Sequence, residues 1–159
     1  MSWRKVEKMK NLNDKVITKI IPEGVENIFL QLKRNDSKHI LFVGRFDMNQ
    51  KGIDLLLNAY EKIKEIINYP LVIAGVGPDK EKIITMIRDL NLEKHVKLLG
   101  PVYGKSKMKL LSEALFVAVP SRAESFSLFT LESIASGAPV VIFDIKGLSW
   151  VGKNVSLRA

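Results

Sequence analysis

The amino-acid sequence predicts an α/β fold built on a doubly wound parallel sheet. Short, β-branched apolar runs alternate with segments whose apolar residues recur at helical spacing, and such alternation is typical of βαβ units. The runs are apolar on both faces, as expected for parallel strands covered by helices on both sides. The predicted strands are Ile40–Val43, Leu71–Ala74, Val96–Leu99, Leu115–Val119 and Val140–Phe143.

Four helices are predicted between these strands. The first follows Gly52 and ends before Tyr69-Pro70, and the second carries an apolar face from Ile83 to Leu90. The third covers about Lys105–Ser112, and the fourth begins near Ser125. Right-handed crossovers would then place a ligand outside the carboxyl ends of the strands.

The first 39 residues have a different pattern. We interpret residues 1–39 as an extension and linker, with a small strand and turn at Ile17–Gly24 and a polar connector at Lys33–Lys38. Residues 40–159 would form the ligand-binding domain. Its last segment, Gly152–Ala159, is polar and is expected to be a truncated end rather than a further strand.

Composition excludes several classes of function. The chain has 159 residues, 47% of them hydrophobic and 26% charged, no cysteine and two histidines. A thiol nucleophile, a disulfide framework and a zinc site are therefore not expected. No signal peptide or membrane-spanning run is evident, so the expected location is the cytoplasm.

The net charge of +8 has two interpretations. It could mark a surface for phosphorylated ligands, anionic lipid or nucleic acid. The lysines are dispersed beside glutamates, however, which favours a solvated surface. No nucleic-acid partner is expected, and nothing indicates a membrane surface.

Two loops after predicted strands carry candidate phosphate ligands. In Gly44–Gly52, Gly44 permits close backbone approach, while Arg45 and Lys51 offer a guanidinium fork and a point charge. By itself this pattern also fits surface residues beside a turn. The glycines of Gly75-Val-Gly77 either make the turn or leave room for a ligand.

A pair of glutamates eight residues apart, Glu124 and Glu132, follows the fourth predicted strand. In a helix starting just after Glu124, the two would be separated by about 12 Å along the axis, a span suited to one extended polar ligand. The amides of the first turn, near Phe126, Ser127 and Leu128, would suit a diphosphate. Acidic residues near a helix start also complement the macrodipole, so a purely structural role stays open. Glu132 lies off the apolar face of the helix and is expected to reach solvent or ligand.

In combination, six ordered blocks resemble the C-terminal half of the group 1 retaining glycosyltransferases, whose fold is called GT-B. The resemblance covers about residues 20–147. The blocks are Ile21-Pro-Glu-Gly-Val25, Val43-Gly-Arg-Phe with Gln50-Lys-Gly52, Leu71–Pro78, Val96–Gly100, Ala114–Ser121, and Glu124 to Glu132 with Gly137-Ala-Pro-Val-Val141.

The resemblance implies a Rossmann-like domain, one half of a GT-B fold, that binds a nucleotide-diphosphate sugar as its donor substrate, with no metal and no other cofactor. Arg45 and Lys51 would neutralise the diphosphate, Glu132 would accept hydrogen bonds from the ribose, and Glu124 would contact the donor sugar near its anomeric carbon. The amides near Phe126–Leu128 would hold sugar hydroxyls or the distal phosphate, beside Gly44, Gly75 and Gly77. The expected partner is a separate acceptor-binding domain or subunit, without which little transfer is expected.

The sequence also departs from the family pattern. Glu23 replaces an asparagine, and Lys146-Gly-Leu-Ser-Trp150 stands where a Gly-Gly-Leu-Pro-Glu loop is expected. The altered loop and the truncated end favour a second hypothesis, a non-catalytic nucleotide-sugar-binding or interaction module that kept the fold. The intact set of Arg45, Lys51, Glu124 and Glu132 favours the donor-binding domain of a glycosyltransferase, which is the interpretation we prefer.

Overall fold

The computed structural model describes residue 21 and residues 23–159. Within them, six strands form one sheet in which every neighbouring pair is parallel. The strands are β1 (His39–Arg45), β2 (Leu71–Val76), β3 (Val96–Leu99), β4 (Ala114–Val119), β5 (Val140–Ile142) and β6 (Ser156–Arg158). Their order across the sheet is β3-β2-β1-β4-β5-β6. The predicted fold class is confirmed.

Helices cover both faces of this sheet. They are α1 (Asn27–Leu30), α2 (Met48–Lys51), α3 (Ile53–Ile63), α4 (Lys80–Asp89), α5 (Gly104–Ser112) and α6 (Leu128–Ala135), followed by a 3₁₀ turn at Lys146–Leu148. No helix in the described part of the chain is long and apolar enough to cross a membrane.

Alternating side chains of the strands divide the core into two layers. Ile40 and Phe42 of β1 pack with buried residues of α3 and α4, whereas Leu41 packs on the opposite face with residues of α5, β4 and β5. Successive strand residues point to opposite faces, so a strand buried on both sides must be apolar throughout. This requirement explains why β1 is readable from the sequence.

The chain changes its winding direction between β1 and β4. From β1 the sheet extends through β2 to β3, and from β4 it extends the other way through β5 to β6. The connections after β1 and β4 therefore separate toward opposite faces, leaving a crevice between the carboxyl ends of these two adjacent strands. This crevice positions the candidate site.

The end of the chain differs from the prediction. Ser156–Arg158 forms β6, paired with β5 from Val140↔Ser156 to Ile142↔Arg158, and the amide of Ala159 donates to the carbonyl of Ile142 at 3.0 Å. An edge strand is held by backbone hydrogen bonds to one neighbour and does not need apolar side chains on both faces. A short polar strand of this kind leaves no signal in hydrophobic periodicity.

Part of the predicted extension packs on the domain. Phe29 of α1 is buried in the core layer that contains Leu41, and the guanidinium of Arg34 donates to the carbonyls of Leu111 and Ala114. The connector at residues 33–38 is neither helix nor strand, as predicted. The strand predicted at Ile17–Gly24 falls mostly outside the described residues; of it, Ile21, Glu23 and Gly24 are in no regular element.

Candidate functional site

Lys51 is fixed by a short helix at the carboxyl end of β1. The carboxylate of Asp47 caps α2 by accepting from the amide of Gln50 at 3.0 Å, and the carboxylate of Asp79 accepts from the amide of Met48 at 2.9 Å. Hydrogen bonds from Met48 and Lys82 hold the pKa of Asp79 below its usual range, the Lys82 bond contributing most. These two contacts hold the amides of Met48 and Gln50, and they therefore fix the position of Lys51 at the end of the same short helix.

Glu124 arrives from the loop that follows β4. Its Oε1 atom accepts from Lys51 Nζ at 2.6 Å and from Ser121 Oγ at 2.7 Å. The side chain of Glu124 is 6% exposed and that of Lys51 is 20% exposed, so the ion pair is largely shielded from water. Within the described part of the chain, the second carboxylate oxygen of Glu124 accepts no hydrogen bond, which leaves it for a ligand.

Arg122 joins the segment after β1, which carries Lys51, to the loop after β4, which carries Glu124. Its guanidinium donates to both carboxylate oxygens of Asp54, at 2.8 and 2.6 Å, and to the carbonyl of Met48 at 2.8 Å. The Arg122 amide also donates to the carbonyl of Gln50 at 2.9 Å. The hydrogen bond from Arg122 is the main reason that the pKa of Asp54 is lowered, and the same bond raises the pKa of Arg122. Bidentate pairing of this kind fixes orientation as well as distance.

The two loops enclose a cleft of about 370 Å³ at the crevice between β1 and β4. Lys51 and Glu124 line it, together with Val43, Gly44 and the segment 125–129. Glu23, the residue that departs from the family pattern, also faces it. The cleft therefore lies at the point of the sheet where doubly wound folds bind ligands.

The helix after Glu124 starts three residues later than its sequence suggests. α6 begins at Leu128, because Ser127 adopts a left-handed φ of +68° and its hydroxyl accepts from the amide of Thr130 at 3.4 Å. The expectation of a helix from Ser125 is therefore wrong, since Ser127 is its N-cap. Phe126 and Ser127 lie in a loop, and both line the cleft together with Leu128.

Arg45 lies in a neighbouring hollow of about 500 Å³ that shares Val43 and Gly44 with the cleft. Gly75 and Gly77 line this hollow too. A Cβ atom on Gly75 would overlap the carbonyl oxygen of Gly44, and one on Gly77 would overlap the backbone of Phe46. These glycines thus serve close packing of the strand ends, and they also border open space.

Glu132 does not reach solvent, contrary to expectation. It is 7% exposed, and its Oε1 atom accepts from Lys107 Nζ at 2.7 Å. The same ammonium lies 5.1 Å from the centre of the Phe29 ring. Glu132 lines neither the cleft nor the hollow, because α5 packs beside α6 and brings Lys107 over it.

Two polar contacts of the site are absent from the sequence-based prediction. Ser121 is 1% exposed and holds Glu124, and Lys107 holds Glu132. Ser121 ends the family block that comes just before the one beginning at Glu124, so its position was a usable signal. The partner of Glu132 is set by how the helices pack, and no sequence signal indicates it. In the described residues, no group of three or more histidine, aspartate or glutamate side chains is placed to hold a metal ion.

Comparison with known proteins agrees with this geometry. Residues 25–154 match the family described as glycosyl transferases group 1. The chain belongs to this family. The resemblance drawn from the six sequence blocks is thereby confirmed.

Individual relatives of the family match this chain over part of their length. It is 40% identical over 121 residues to an uncharacterized glycosyltransferase of Methanocaldococcus jannaschii, covering 76% of this chain and 31% of the relative. It is 35% identical over 146 residues to the Campylobacter jejuni N-acetylgalactosamine-N,N'-diacetylbacillosaminyl-diphospho-undecaprenol 4-alpha-N-acetylgalactosaminyltransferase, covering 92% of this chain and 37% of the relative. The chain thus spans about a third of the length of these curated relatives.

Solved structures confirm the fold. A variant of S. aureus TarM, in complex with Fondaparinux, alpha-GlcNAc-glycerol and UDP, superposes with a TM-score of 0.70 at 29% identity over 99% of this chain and 32% of that protein. Sucrose-phosphate synthase from Thermosynechococcus elongatus gives a TM-score of 0.72 at 24% identity over 98% of this chain and 42% of that protein. This chain is therefore a glycosyltransferase family member with a Rossmann-like domain of the GT-B type.

Proposed function

We propose that this chain binds a nucleotide-diphosphate sugar in the cleft between β1 and β4, as the donor-binding part of a retaining glycosyltransferase. The observation that carries the proposal is the shielded Lys51–Glu124 ion pair, which lines the cleft at the sheet's change of winding direction. A cation and a carboxylate held side by side match a donor that carries a diphosphate next to sugar hydroxyls.

Lys51 supplies positive charge where negative charge develops. When the bond between the anomeric carbon and the diphosphate oxygen breaks, the departing diphosphate gains negative charge, which a preorganised cation stabilises. Among the residues that the structure describes, the Lys51 ammonium donates one hydrogen bond, to Glu124. Its other two hydrogens remain for phosphate oxygens, so the lysine need not release the glutamate to act.

Glu124 and the loop after it would bind the sugar. The free carboxylate oxygen of Glu124 is suited to accept from a sugar hydroxyl, while Ser121 and Lys51 hold the other oxygen in place. Phe126, Ser127 and Leu128 line the same cleft. The donor sugar would therefore lie between the ends of β1 and β4, with its diphosphate toward Lys51.

Arg45 and Glu132 would act outside this cleft. The hollow beside Arg45 adjoins the cleft through Val43 and Gly44, so a ligand extending from one to the other would pass Arg45. Glu132 would bind the ribose only after its contact with Lys107 is shared or released. These two roles follow from the family likeness.

Calorimetric titration with UDP-, GDP- and ADP-sugars tests the proposal. We expect at least one donor to bind, and Lys51→Ala or Arg45→Ala to weaken that binding about tenfold and to reduce its salt dependence, because each removes a charge-assisted contact to phosphate. Lys62→Ala, at an exposed lysine of α3, is the matched control and should bind like the unchanged chain. Absence of heat with every donor, in a folded sample, would refute the donor site.

A module that binds donor without transferring it is the second candidate. The observation that favours it is Trp150, which occupies the place where the family resemblance expects a glutamate. The chain also accounts for about a third of its relatives' length, so the proposed role concerns that third, and transfer would need an acceptor-binding unit. Donor turnover by the full assembly would separate the two: binding with no glycosyl transfer supports the module.

A further inference from the structure

The turn at Lys146–Leu148 packs directly beneath the loop that carries Glu124. A Cβ atom on Gly147 would overlap the carbonyl oxygen of Glu124, so the two backbones are in contact with no side chain between them. Leu148 is fully buried in the core and fixes the turn from below. The backbone of Glu124 is therefore packed against a turn that is itself anchored in the core.

Trp150 holds the same loop two residues further on. Its ring stacks on the ring of Phe126 with centroids 4.7 Å apart and planes inclined by 16°. Its indole N–H donates to the carbonyl of Phe126 at 2.8 Å. One side chain thus fixes both the side chain and the backbone of a residue that lines the cleft.

The loop needs such support because its conformation is strained. Ser127 has a φ of +68°, a region that non-glycine residues adopt at a cost, and it joins Phe126 directly to α6. Ser127 makes local contacts that offset part of this cost: its hydroxyl contacts Thr130, and its carbonyl accepts from the amides of Thr130 and Leu131. Gly147 and Trp150 lie outside the loop, and their contacts with Glu124 and Phe126 hold the residues that precede Ser127 in place.

We propose that Trp150 is a positioning residue for the cleft: it holds the backbone of Glu124–Ser127 in the conformation that faces the ligand. Trp150 is 36% exposed and does not line the cleft, so it acts through Phe126 and not by touching the ligand. The residue that replaces the expected glutamate has therefore a structural task at the site. The consequence for donor affinity rests on the proposed function; the positioning itself does not.

Amide hydrogen exchange measures the positioning without any ligand. In Trp150→Ala, the amides of residues 124–128 should exchange about tenfold faster, since an aromatic stack and a hydrogen bond are lost. Trp150→Phe keeps the stack and should recover part of the protection. Leu157→Ala, an exposed apolar truncation in β6, is the matched control and should leave these amides unchanged. Equal exchange in the tryptophan variants and the control would overturn the inference.

Donor binding and fluorescence give an independent readout. The chain has two tryptophans, so Trp3→Phe leaves Trp150 as the sole reporter, and its emission should change on titration with the donor that calorimetry identifies. Trp150→Ala should weaken that donor about tenfold, with Trp150→Phe in between. Unchanged affinity in Trp150→Ala would overturn the role at the site. If no donor binds the unchanged chain, the proposed function fails, and the exchange experiment still decides the positioning role.

Discussion

At the scale of single residues, the site depends on ion pairs that are mostly shielded from water. Two ion pairs, Lys51–Glu124 and Lys107–Glu132, each join a lysine on a short helix to one of the two glutamates that were predicted to bind the ligand. Both lysines are about four-fifths buried, at 20% and 19% exposure. Shielding makes each pair more sensitive to the loss of one partner than an exposed pair would be.

The Lys107–Glu132 pair gives a prediction at this scale. Lys107→Ala leaves the buried carboxylate of Glu132 without its cation, and should lower the free energy of unfolding by about 1–3 kcal/mol in a urea titration. The double variant Lys107→Ala/Glu132→Gln should recover part of that loss, because the uncompensated charge is gone. Lys105→Ala, on the exposed side of α5, serves as the control and should have little effect. A Lys107 variant as stable as the Lys105 variant would contradict the assignment.

At the scale of elements, the site is made by two loops that contact each other closely. Gly52 ends α2 and begins α3 with a φ of +64°, and a Cβ atom there would overlap the carbonyl oxygen of Pro120. Arg122 then adds its contacts to Asp54 and Met48. Lys51 and Glu124 meet because the loops that carry them are pressed together at this glycine.

Gly52→Ala tests that packing. It should lower the free energy of unfolding by about 3 kcal/mol, because it combines a strained φ with an overlap against backbone that cannot move easily. Gly104→Ala is a matched control, since Gly104 also has a positive φ, of +49°, but has nothing within 4 Å of the added Cβ. It should cost about 1 kcal/mol. Equal losses in thermal or chemical unfolding would show that strain alone, and not loop packing, makes Gly52 necessary.

At the scale of the whole molecule, stability should depend on pH through a buried histidine. His39 is 5% exposed at the start of β1, and its Nε2 atom lies 3.0 Å from the carbonyl of Leu110. Burial lowers the pKa of His39; Lys38 and Arg34 lower it further, against opposing effects of the Leu110 carbonyl and Glu113. The folded chain therefore resists protonation of this ring.

The sign of the effect follows from linkage. In the unfolded chain His39 binds a proton near its ordinary pKa of about 6.5, and in the folded chain only at lower pH. The free energy of unfolding should thus be constant above that pH and fall as pH decreases from about 6.5 toward the folded pKa. Urea titrations between about pH 8 and pH 5 measure this change, because that interval extends more than one pH unit to either side of the unfolded-state pKa.

His39→Gln should remove this loss while keeping a donor for the Leu110 carbonyl. His95→Gln, at the other histidine, should keep the pH dependence of the unchanged chain. Parallel curves for both variants would show that His39 does not titrate on unfolding. Any loss of stability below about pH 4 has another origin. The pKa values of Asp54, Asp79 and Glu113 are lowered in the folded chain, so stability is lost when acid protonates these carboxylates.

Much of the fold and part of the site could be predicted from the sequence. Strands such as Ile40–Val43 and Leu71–Ala74 are buried on both faces, and burial forces an apolar, β-branched composition that is visible without a structure. Lys51 and Glu124 were visible because each follows a strand end within a family block. The role of Trp150 and the partner of Glu132 were not, since both depend on which segments pack together.

The sequence by itself determined the α/β class, the positions of the five apolar strands and the family, because these follow from local periodicity and from motifs in a fixed order. Only the tertiary structure decided that Lys51 pairs with Glu124, that Lys107 covers Glu132, that Ser127 starts α6 and that Trp150 supports the loop at Phe126. Such contacts join residues 24 to 73 positions apart, or depend on one strained φ angle, as at Ser127. The physical reason is that contacts between distant residues are fixed by how helices and loops pack on the sheet, which local sequence does not encode.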